Sequence, residues 1–430
     1  MNPLYLYLCY YTFGWCFSFT SIAVQFTLIN DLKMSPVEMS YSMVLISIPW
    51  CFKPFYGIVS DTFPIFDWGN RRPYICFFLY FASFIYVKMS YFMYNKNTFL
   101  FSLIILSYCI CYADVCADSI MVHVTKKERV VGNIQSLCWS SRAFGTLMGA
   151  VTGGMAYTSM GAINLFRICA IVPFFTAIFI WKLPKIKIKS KNMNVFTKLY
   201  INLKEQKRLA FLLLMINIAP DYGQFYVYYL QQQLAYTPQD FAWLSVSGSL
   251  TFFLSTITFN RYLIEKPPST IIFIGLLGTF ICRLCQLFVI MDIFPYFFIV
   301  LLDGVAESFF GTLMLLPLII LVAKGCKEGV EGSLYAMMMS ISNLSNILGN
   351  WFGSFVGYLF NINRNNFTNM AGFTILCSIL EFAIPLYIIL RNKTSVSDDL
   401  PDEKFDELDP TEEPYDPVVL QTSETANNFA

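Results

Sequence analysis

Carboxylate pairs interrupt two of the long apolar stretches of this sequence. Asp114 and Asp118 are four residues apart, and so are Asp303 and Glu307. In a helix, this spacing places both members of a pair on one face. Two carboxylates on one face repel each other unless they are paired, protonated or exposed to water, and ionisable groups inside a membrane are functional candidates. The pairs are therefore candidates for binding a solute or a coupling proton.

Three further charges lie within apolar stretches. Arg142 is a natural partner for the first carboxylate pair, and Arg283 lies deep in a later stretch. Guanidinium groups bind carboxylates bidentately, so either arginine could hold an acidic solute. Asp221 follows Pro220, and the proline frees a backbone carbonyl in the middle of its helix. The alternative role for these charges is an interhelical ion pair that holds the helices together.

Other kinds of chemistry lack their usual residues. The chain has a single histidine, and neither a metalloprotease HExxH, a phosphate-binding GxxxxGK[ST] nor a hydrolase GxSxG occurs. The 13 cysteines are scattered without a second pair to complete a metal site. A net charge of +1 gives no indication of a nucleic-acid partner. We expect neither an enzyme nor a resident metal or cofactor.

The composition indicates a membrane protein. Of 430 residues, 56% are hydrophobic and 13% are charged, against about 25% charged in soluble domains. A spanning helix needs about 20 mostly apolar residues. Twelve such spans are predicted: 5–30, 38–60, 73–94, 98–122, 131–157, 164–183, 208–233, 239–260, 270–291, 295–323, 331–360 and 370–391.

Loop charge predicts the orientation of the spans. Most loop lysines and arginines follow even-numbered spans, which places those loops and both termini in the cytoplasm. We expect a first six-helix half over 1–183, a basic cytoplasmic linker over 184–207 and a second six-helix half over 208–391. The acidic segment 392–430 is too polar to bury a core and is expected to be a disordered cytoplasmic tail.

The two halves repeat each other. The segment 32–38 (LKMSPVE) matches 234–240 (LAYTPQD), and Gly149 and Gly153 match Gly349 and Gly353. The Asp114 pair matches the Asp303 pair in the same order. Because each half has an even number of spans, the copies lie in the same sense across the membrane, which is the parallel repeat of the major facilitator fold. A solute site is then expected between the halves near the bilayer midplane.

A further motif follows the second span. Gly57 and Asp61, then Arg71 and Arg72 after an insert, are like the facilitator pattern Gly-x-x-x-Asp followed by Gly-Arg-Arg. A carboxylate at this helix end can pair with cytoplasmic arginines and latch one conformation. The alternative is ordinary anchoring of the arginines at the cytoplasmic surface.

Several motifs together resemble the folate–biopterin transporter family. They are Lys53-Pro54-Phe-Tyr56-Gly57-Ile-Val-Ser60-Asp61, Arg71-Arg72-Pro-Tyr74, Ala113-Asp114-Val-x-Ala117-Asp118, Gln135-Ser136-x-x-Trp139-x-x-Arg142-x-x-Gly145 and the segment from Gly329 to Asn343. The resemblance covers the spans and excludes the tail. It implies a major facilitator fold and uptake of folates or pterins. His123 departs from it, since family members often carry an acid there.

We therefore predict a secondary active transporter for folate or pterin solutes, with proton coupling as an option. The alternatives are a carrier for another organic solute, such as S-adenosylmethionine or an amino acid, and a non-transporting membrane sensor on a transporter scaffold. The expected partners are the solute, protons and membrane lipids. The plasma membrane is the first expected location and an organelle membrane the second, since the short amino terminus offers no organelle-targeting extension.

Overall fold

A computed structural model gives the fold of the chain. It describes residues 4–63, 65, 68, 71–92, 95–128, 131–183, 204, 207–263, 266–293, 297–324 and 331–391. Most of the predicted linker 184–207 and all of the predicted tail 392–430 lie outside these residues. The described part is almost entirely helical, as the sequence predicts.

Thirteen α-helical segments make up the described part of the chain. They are α1 (Leu4–Phe26), α2 (Pro36–Ser47), α3 (Lys53–Thr62), α4 (Arg72–Phe92), α5 (Lys96–Glu128), α6 (Val131–Ile180), α7 (Lys207–Ile216), α8 (Gly223–Gln232), α9 (Pro238–Thr258), α10 (Pro268–Ile290), α11 (Phe297–Lys324), α12 (Glu331–Leu359) and α13 (Met370–Arg391).

The segments correspond to the twelve predicted spans. A short 3₁₀ segment, Ile48–Phe52, joins α2 to α3 within one span. The long α6 contains two spans, because Gly161 (φ 74°, ψ 174°) breaks the helix between them. A stretch of non-helical backbone separates α7 from α8 within a third span. Within the described residues, nine helical stretches, some with such an interruption, are long and apolar enough to cross a membrane. The cytoplasmic location of the termini stays a prediction.

Glycines allow α1 and α6 to pack closely. A Cβ atom on Gly149 would lie 2.6 Å from the Trp15 carbonyl oxygen and 3.0 Å from the Phe19 backbone nitrogen. The matching Gly349 and Gly353 lie against the backbone around Asn217 and Asp221 in the second half. Small residues of this kind let helix backbones approach in the membrane. The repeated glycines therefore serve the same packing purpose in both halves.

The repeated turn sequence also folds in the same way twice. Lys33 (φ 49°) and Ala235 (φ 53°) occupy equivalent left-handed positions. Each turn leads into a capping box, in which Ser35 and Glu38 bond to each other's backbone before α2, and Thr237 and Asp240 do so before α9. A hydroxyl residue at the N-cap and an acid three residues later bind the free amide groups at a helix start. The sequence repeat is thus a structural repeat.

The end of the molecule that holds these two turns joins the halves. Tyr228 donates a hydrogen bond to the carbonyl oxygen of Met34 at 2.9 Å, and Gln231 donates one to Asn30 at 3.0 Å. On α12, Ser354 donates to the Ser40 hydroxyl of α2 at 2.6 Å. These bonds close the two halves against each other at the end that loop charge predicts to be outside.

Replacing Gly149 with alanine should destabilise the fold. The added Cβ has no room against α1, and overpacking of this kind costs about 1–3 kcal/mol. Gly311 on α11 is the matched control, because a Cβ there would meet no atom within 4 Å and alanine favours helix over glycine by up to about 1 kcal/mol.

The measurement is the midpoint of thermal unfolding of each purified variant in detergent. We expect Gly149→Ala to lower the midpoint and Gly311→Ala to keep or raise it. Equal midpoints for the two variants would contradict the close packing of α1 on α6.

Candidate functional site

A buried group of charges lies within the first half. We call Tyr10, Lys53, Asp114, Asp118 and Arg142 the Asp114 cluster. The Asp114 carboxylate accepts a hydrogen bond from Lys53 Nζ at 2.7 Å and one from Arg142 at 2.8 Å. Lys53 Nζ is also 4.0 Å from Asp118, whose other oxygen accepts a short hydrogen bond from the Tyr10 hydroxyl. Four helices, α1, α3, α5 and α6, therefore meet at this cluster.

Exposure divides the Asp114 cluster into an inner and an outer part. The Asp114 and Lys53 side chains are buried at 1% and 7% exposure, whereas the Arg142 side chain is 23% exposed. The Lys53 ammonium lies 4.8 Å from the centre of the Trp50 ring. An aromatic face in a dry environment adds to the stabilisation of a cation. The inner pair is thus fully compensated by protein, and Arg142 can also reach a ligand.

A second group of charges lies within the second half, around Arg283 of α10. The Arg283 guanidinium is 2.8 Å from Glu381 of α13, 3.5 Å from Glu307 of α11 and 3.6 Å from Asp221. It also lies 4.8 Å from the centre of the Tyr222 ring. The arginine is 13% exposed, while the three carboxylates are 27–36% exposed. The carboxylates are thus more accessible than the cation that they share.

Gln286 links this group to Asp303. Its amide nitrogen donates to Asp303 at 2.8 Å and to Glu307 at 3.1 Å, and its amide oxygen accepts a hydrogen bond from Tyr222 at 2.6 Å. One glutamine thereby holds two carboxylates on neighbouring turns of α11. Together with the preceding residues it completes what we call the Arg283 cluster: Asp221, Tyr222, Arg283, Gln286, Asp303, Glu307 and Glu381.

A break in helical structure positions Asp221. The chain leaves α7 at Ile216 and resumes at Gly223, and Pro220 precedes Asp221 within this break. The Asp221 amide donates to the Gly349 carbonyl oxygen at 3.1 Å, and its carboxylate accepts from the Gly223 amide at 2.9 Å. Interrupted helices with bound backbone groups are characteristic of solute sites in transporters. The break places a partly exposed carboxylate beside Arg283.

The two clusters differ in charge. With every group ionised, the Asp114 cluster has two cations and two carboxylates, whereas the Arg283 cluster has one cation and four carboxylates. An unpaired charge inside a membrane protein is costly. The first cluster is balanced as it stands, and the second needs protons or another cation to be balanced.

The predicted residues fall into these two clusters. Arg142 pairs with Asp114 as expected, and each carboxylate pair shares one face, since Lys53 reaches both members of the first and Gln286 both members of the second. The sequence does not associate Arg283 with a particular partner, and the structure places it beside three acids. The roles of these residues in solute binding or proton coupling stay predictions.

Sequence reasoning missed several members of the clusters. Lys53 enters the sequence analysis only as part of a motif, whereas the structure buries it against Asp114. Tyr10 and Gln286 gave no signal, because uncharged polar residues are common in these spans. Glu381, an acid within an apolar span, is a functional candidate on that ground, although it is not among the predicted site residues.

The predicted latch is described only in part. Arg71 donates to the Ser119 carbonyl oxygen at 2.7 Å, and Arg72 donates to the Leu183 carbonyl oxygen at 2.7 Å. A Cβ on Gly57 would contact Val115 at an ordinary 3.7 Å. The Asp61 side chain lies outside the described residues. The arginines tie together elements of the first half, and a latch role stays a prediction.

No metal centre is found in the described part of the chain, where no group of three or more His, Cys, Asp or Glu side chains has a suitable arrangement.

The fold defines the class of protein. It matches the POT family transporter PepTSo over 92% of this chain and 98% of that one, with a TM-score of 0.69 and 11% identity. It also matches a D-xylose–proton symporter over 90% and 96%, with a TM-score of 0.67 and 12% identity. The described helices therefore have the predicted major facilitator fold, and the chain is an integral multi-pass membrane protein.

Within this class, the chain belongs to the BT1 family, whose model matches residues 14–408. A folate-biopterin transporter of Synechocystis is 24% identical over 94% of this chain and 84% of its own length. Folate transporter 2 of Plasmodium falciparum is 24% identical over 87% and 85%. A probable folate-biopterin transporter 2 of Arabidopsis thaliana is 23% identical over 81% and 74%. The resemblance predicted from the motifs is confirmed.

Removing the carboxylate of Asp114 should destabilise the protein strongly. Asp114→Asn leaves buried Lys53 and partly exposed Arg142 with Asp118 as their only carboxylate in the cluster, and breaking a buried ion pair costs about 3–5 kcal/mol. The matched control is Glu38→Gln, because Glu38 is also 2.7 Å from a lysine, Lys96, but both side chains are at least 41% exposed. Exposed pairs contribute about 0–1 kcal/mol, and glutamine preserves the capping box.

Thermal unfolding in detergent compares the two variants with the parent protein. We expect Asp114→Asn to lower the midpoint of thermal unfolding strongly and Glu38→Gln to leave it almost unchanged. A small effect of Asp114→Asn would mean that the buried cluster is not an ion-pair network that holds the first half together.

Proposed function

We propose that this protein is a secondary active carrier that moves a folate or pterin solute across its membrane by alternating access. One observation carries the proposal: each half places a partly exposed arginine, Arg142 and Arg283, within a carboxylate cluster among its spans. Two such groups, one in each half, can hold a single solute from both sides. The expected location is the plasma membrane, with an organelle membrane as the alternative.

The chemistry of the solute fits these groups. Folate carries two carboxylates, which guanidinium groups bind bidentately. It also carries a flat pterin ring, and a carboxylate can accept hydrogen bonds from the N–H groups on one edge of that ring. Asp118 is 18% exposed and Glu307 is 34% exposed, so each can offer an oxygen to such an edge. Family membership and the names of the relatives point to the same solutes.

Proton coupling is the second part of the proposal. The Arg283 cluster holds three more carboxylates than cations when all its groups are ionised. An anionic solute would add to this excess, which is unfavourable at low dielectric. Protons bound with the solute remove the difficulty, and their gradient then drives transport.

The same excess favours a second candidate function. A carrier for a solute that bears a positive charge, such as S-adenosylmethionine or an amino acid, would use Asp221, Asp303, Glu307 and Glu381 as direct partners for that charge. Competition separates the two functions. An excess of unlabelled S-adenosylmethionine or amino acid blocks the uptake of radiolabelled folic acid only if that compound occupies the same site.

Arg142→Ala should abolish specific folate transport. Loss of a charge-assisted hydrogen bond to a carboxylate costs about 1.5–3 kcal/mol, or about tenfold or more in affinity. Counterflow of radiolabelled folic acid in proteoliposomes measures the effect without any imposed ion gradient. The matched control is Arg167→Ala, since Arg167 is exposed and contacts Asn164 and the Tyr91 ring.

We expect counterflow in the parent protein and in Arg167→Ala, and at least about a tenfold loss in Arg142→Ala. Absence of counterflow in the folded parent protein would contradict the folate function. Binding of folic acid without counterflow would indicate a sensor, and equal activity of both variants would remove Arg142 from the site.

A further inference from the structure

Glu381 is the nearest acid to Arg283. Its carboxylate lies 2.8 Å from Arg283 Nε, closer than Glu307 at 3.5 Å or Asp221 at 3.6 Å. It belongs to α13, which packs against α10. Neither the predicted site nor the repeat includes this residue. Its position makes it the main internal partner of the only arginine in the Arg283 cluster.

A solute carboxylate would compete for this partner. A guanidinium binds a carboxylate most strongly as a bidentate pair with one carboxylate. Arg283 is already shared by three carboxylates. Two of them, Glu307 and Asp221, have other partners in the Gln286 amide and the Gly223 amide. The Glu381 oxygen nearest to Arg283 has no hydrogen-bond partner in the described part of the chain, so this carboxylate depends on the charge of Arg283 alone.

We propose that Glu381 is the proton-carrying residue of this transporter, and that a carboxylate of the solute displaces it from Arg283. This inference rests on the proposed function. When the solute carboxylate binds the guanidinium, the Glu381 carboxylate loses its cation inside the protein. A carboxylate without a partner in such a place takes up a proton rather than stay charged.

The step is balanced in charge and atoms. A proton from the water on the proton-rich side forms an O–H bond with Glu381, and the solute carboxylate takes the place of the Glu381 carboxylate at Arg283. After the change of conformation the solute leaves, Glu381 returns to Arg283, and its O–H bond breaks to release the proton on the other side. The arginine always has one acid as its main partner.

The other groups around Glu381 also favour its protonation when Arg283 binds another carboxylate. The charged or titratable groups that face it are Arg283 of α10, Asp221 and Tyr222 of the turn before α8, Glu307 of α11 and Cys377 of its own helix. The helices α7 and α12 also pack against α13, but none of their described side chains is a charged partner of Glu381. Arg283 is therefore the cation whose loss leaves Glu381 among like charges.

The test uses Glu381→Gln, which resembles the protonated side chain, with Glu381→Asp as the control that keeps a carboxylate. Each protein in proteoliposomes is assayed for counterflow of radiolabelled folic acid without a gradient and for its accumulation under an inward proton gradient. We expect Glu381→Gln to keep counterflow but to stop accumulating once the inside concentration equals the outside one. Glu381→Asp should still accumulate.

Accumulation by Glu381→Gln would overturn the proposal, and so would loss of its counterflow in folded protein, because a neutral side chain must leave exchange intact. A second measurement needs no variant: detergent-solubilised parent protein should take up protons from weakly buffered solution when folic acid binds, and the absence of uptake on binding would also overturn it. Failure of the parent protein to show any counterflow would instead contradict the proposed function.

Discussion

The pairing of buried charge is the constraint on which the rest of this structure depends. Charged groups inside a membrane protein are tolerated only with partners, and the Asp114 and Arg283 clusters supply them from helices that are far apart in sequence. Asp114 alone connects Lys53 of α3 with Arg142 of α6. Each cluster therefore fixes how the helices of its half are arranged, while the exposed members of the cluster remain available to a solute.

The repeat extends this constraint to both halves, but with a different outcome in each. The turns at Lys33 and Ala235 and the glycines of α6 and α12 are equivalent in position and in contacts. The charges are not equivalent, because the second half has a broken helix that adds Asp221 and a further acid, Glu381. A balanced half and an acidic half suit a carrier in which both halves hold the solute and the acidic half also exchanges protons.

Features of the structure that depend on neighbouring residues could be predicted from the sequence, and contacts between distant helices could not. Span positions, the disturbance of the helix at Pro220 and the repeated turn sequences at 32–38 and 234–240 depend on neighbouring residues, and all are predicted from the sequence. The pairing of Arg142 with Asp114 could be predicted because the spans are adjacent. The partners of Arg283 come from two helices, α11 and α13, and from the break before α8, so they depend on helix rotations that no single sequence fixes.

The central claim is that an acidic solute crosses the membrane together with protons. In the most direct test, the proteoliposomes contain no solute and the medium is lightly buffered. Folic acid is added outside without any imposed proton gradient, and the pH of the external medium is followed. We predict that the medium becomes more alkaline as labelled folic acid enters, and that a proton ionophore abolishes the change. Entry of the label with no change in external pH would contradict the account.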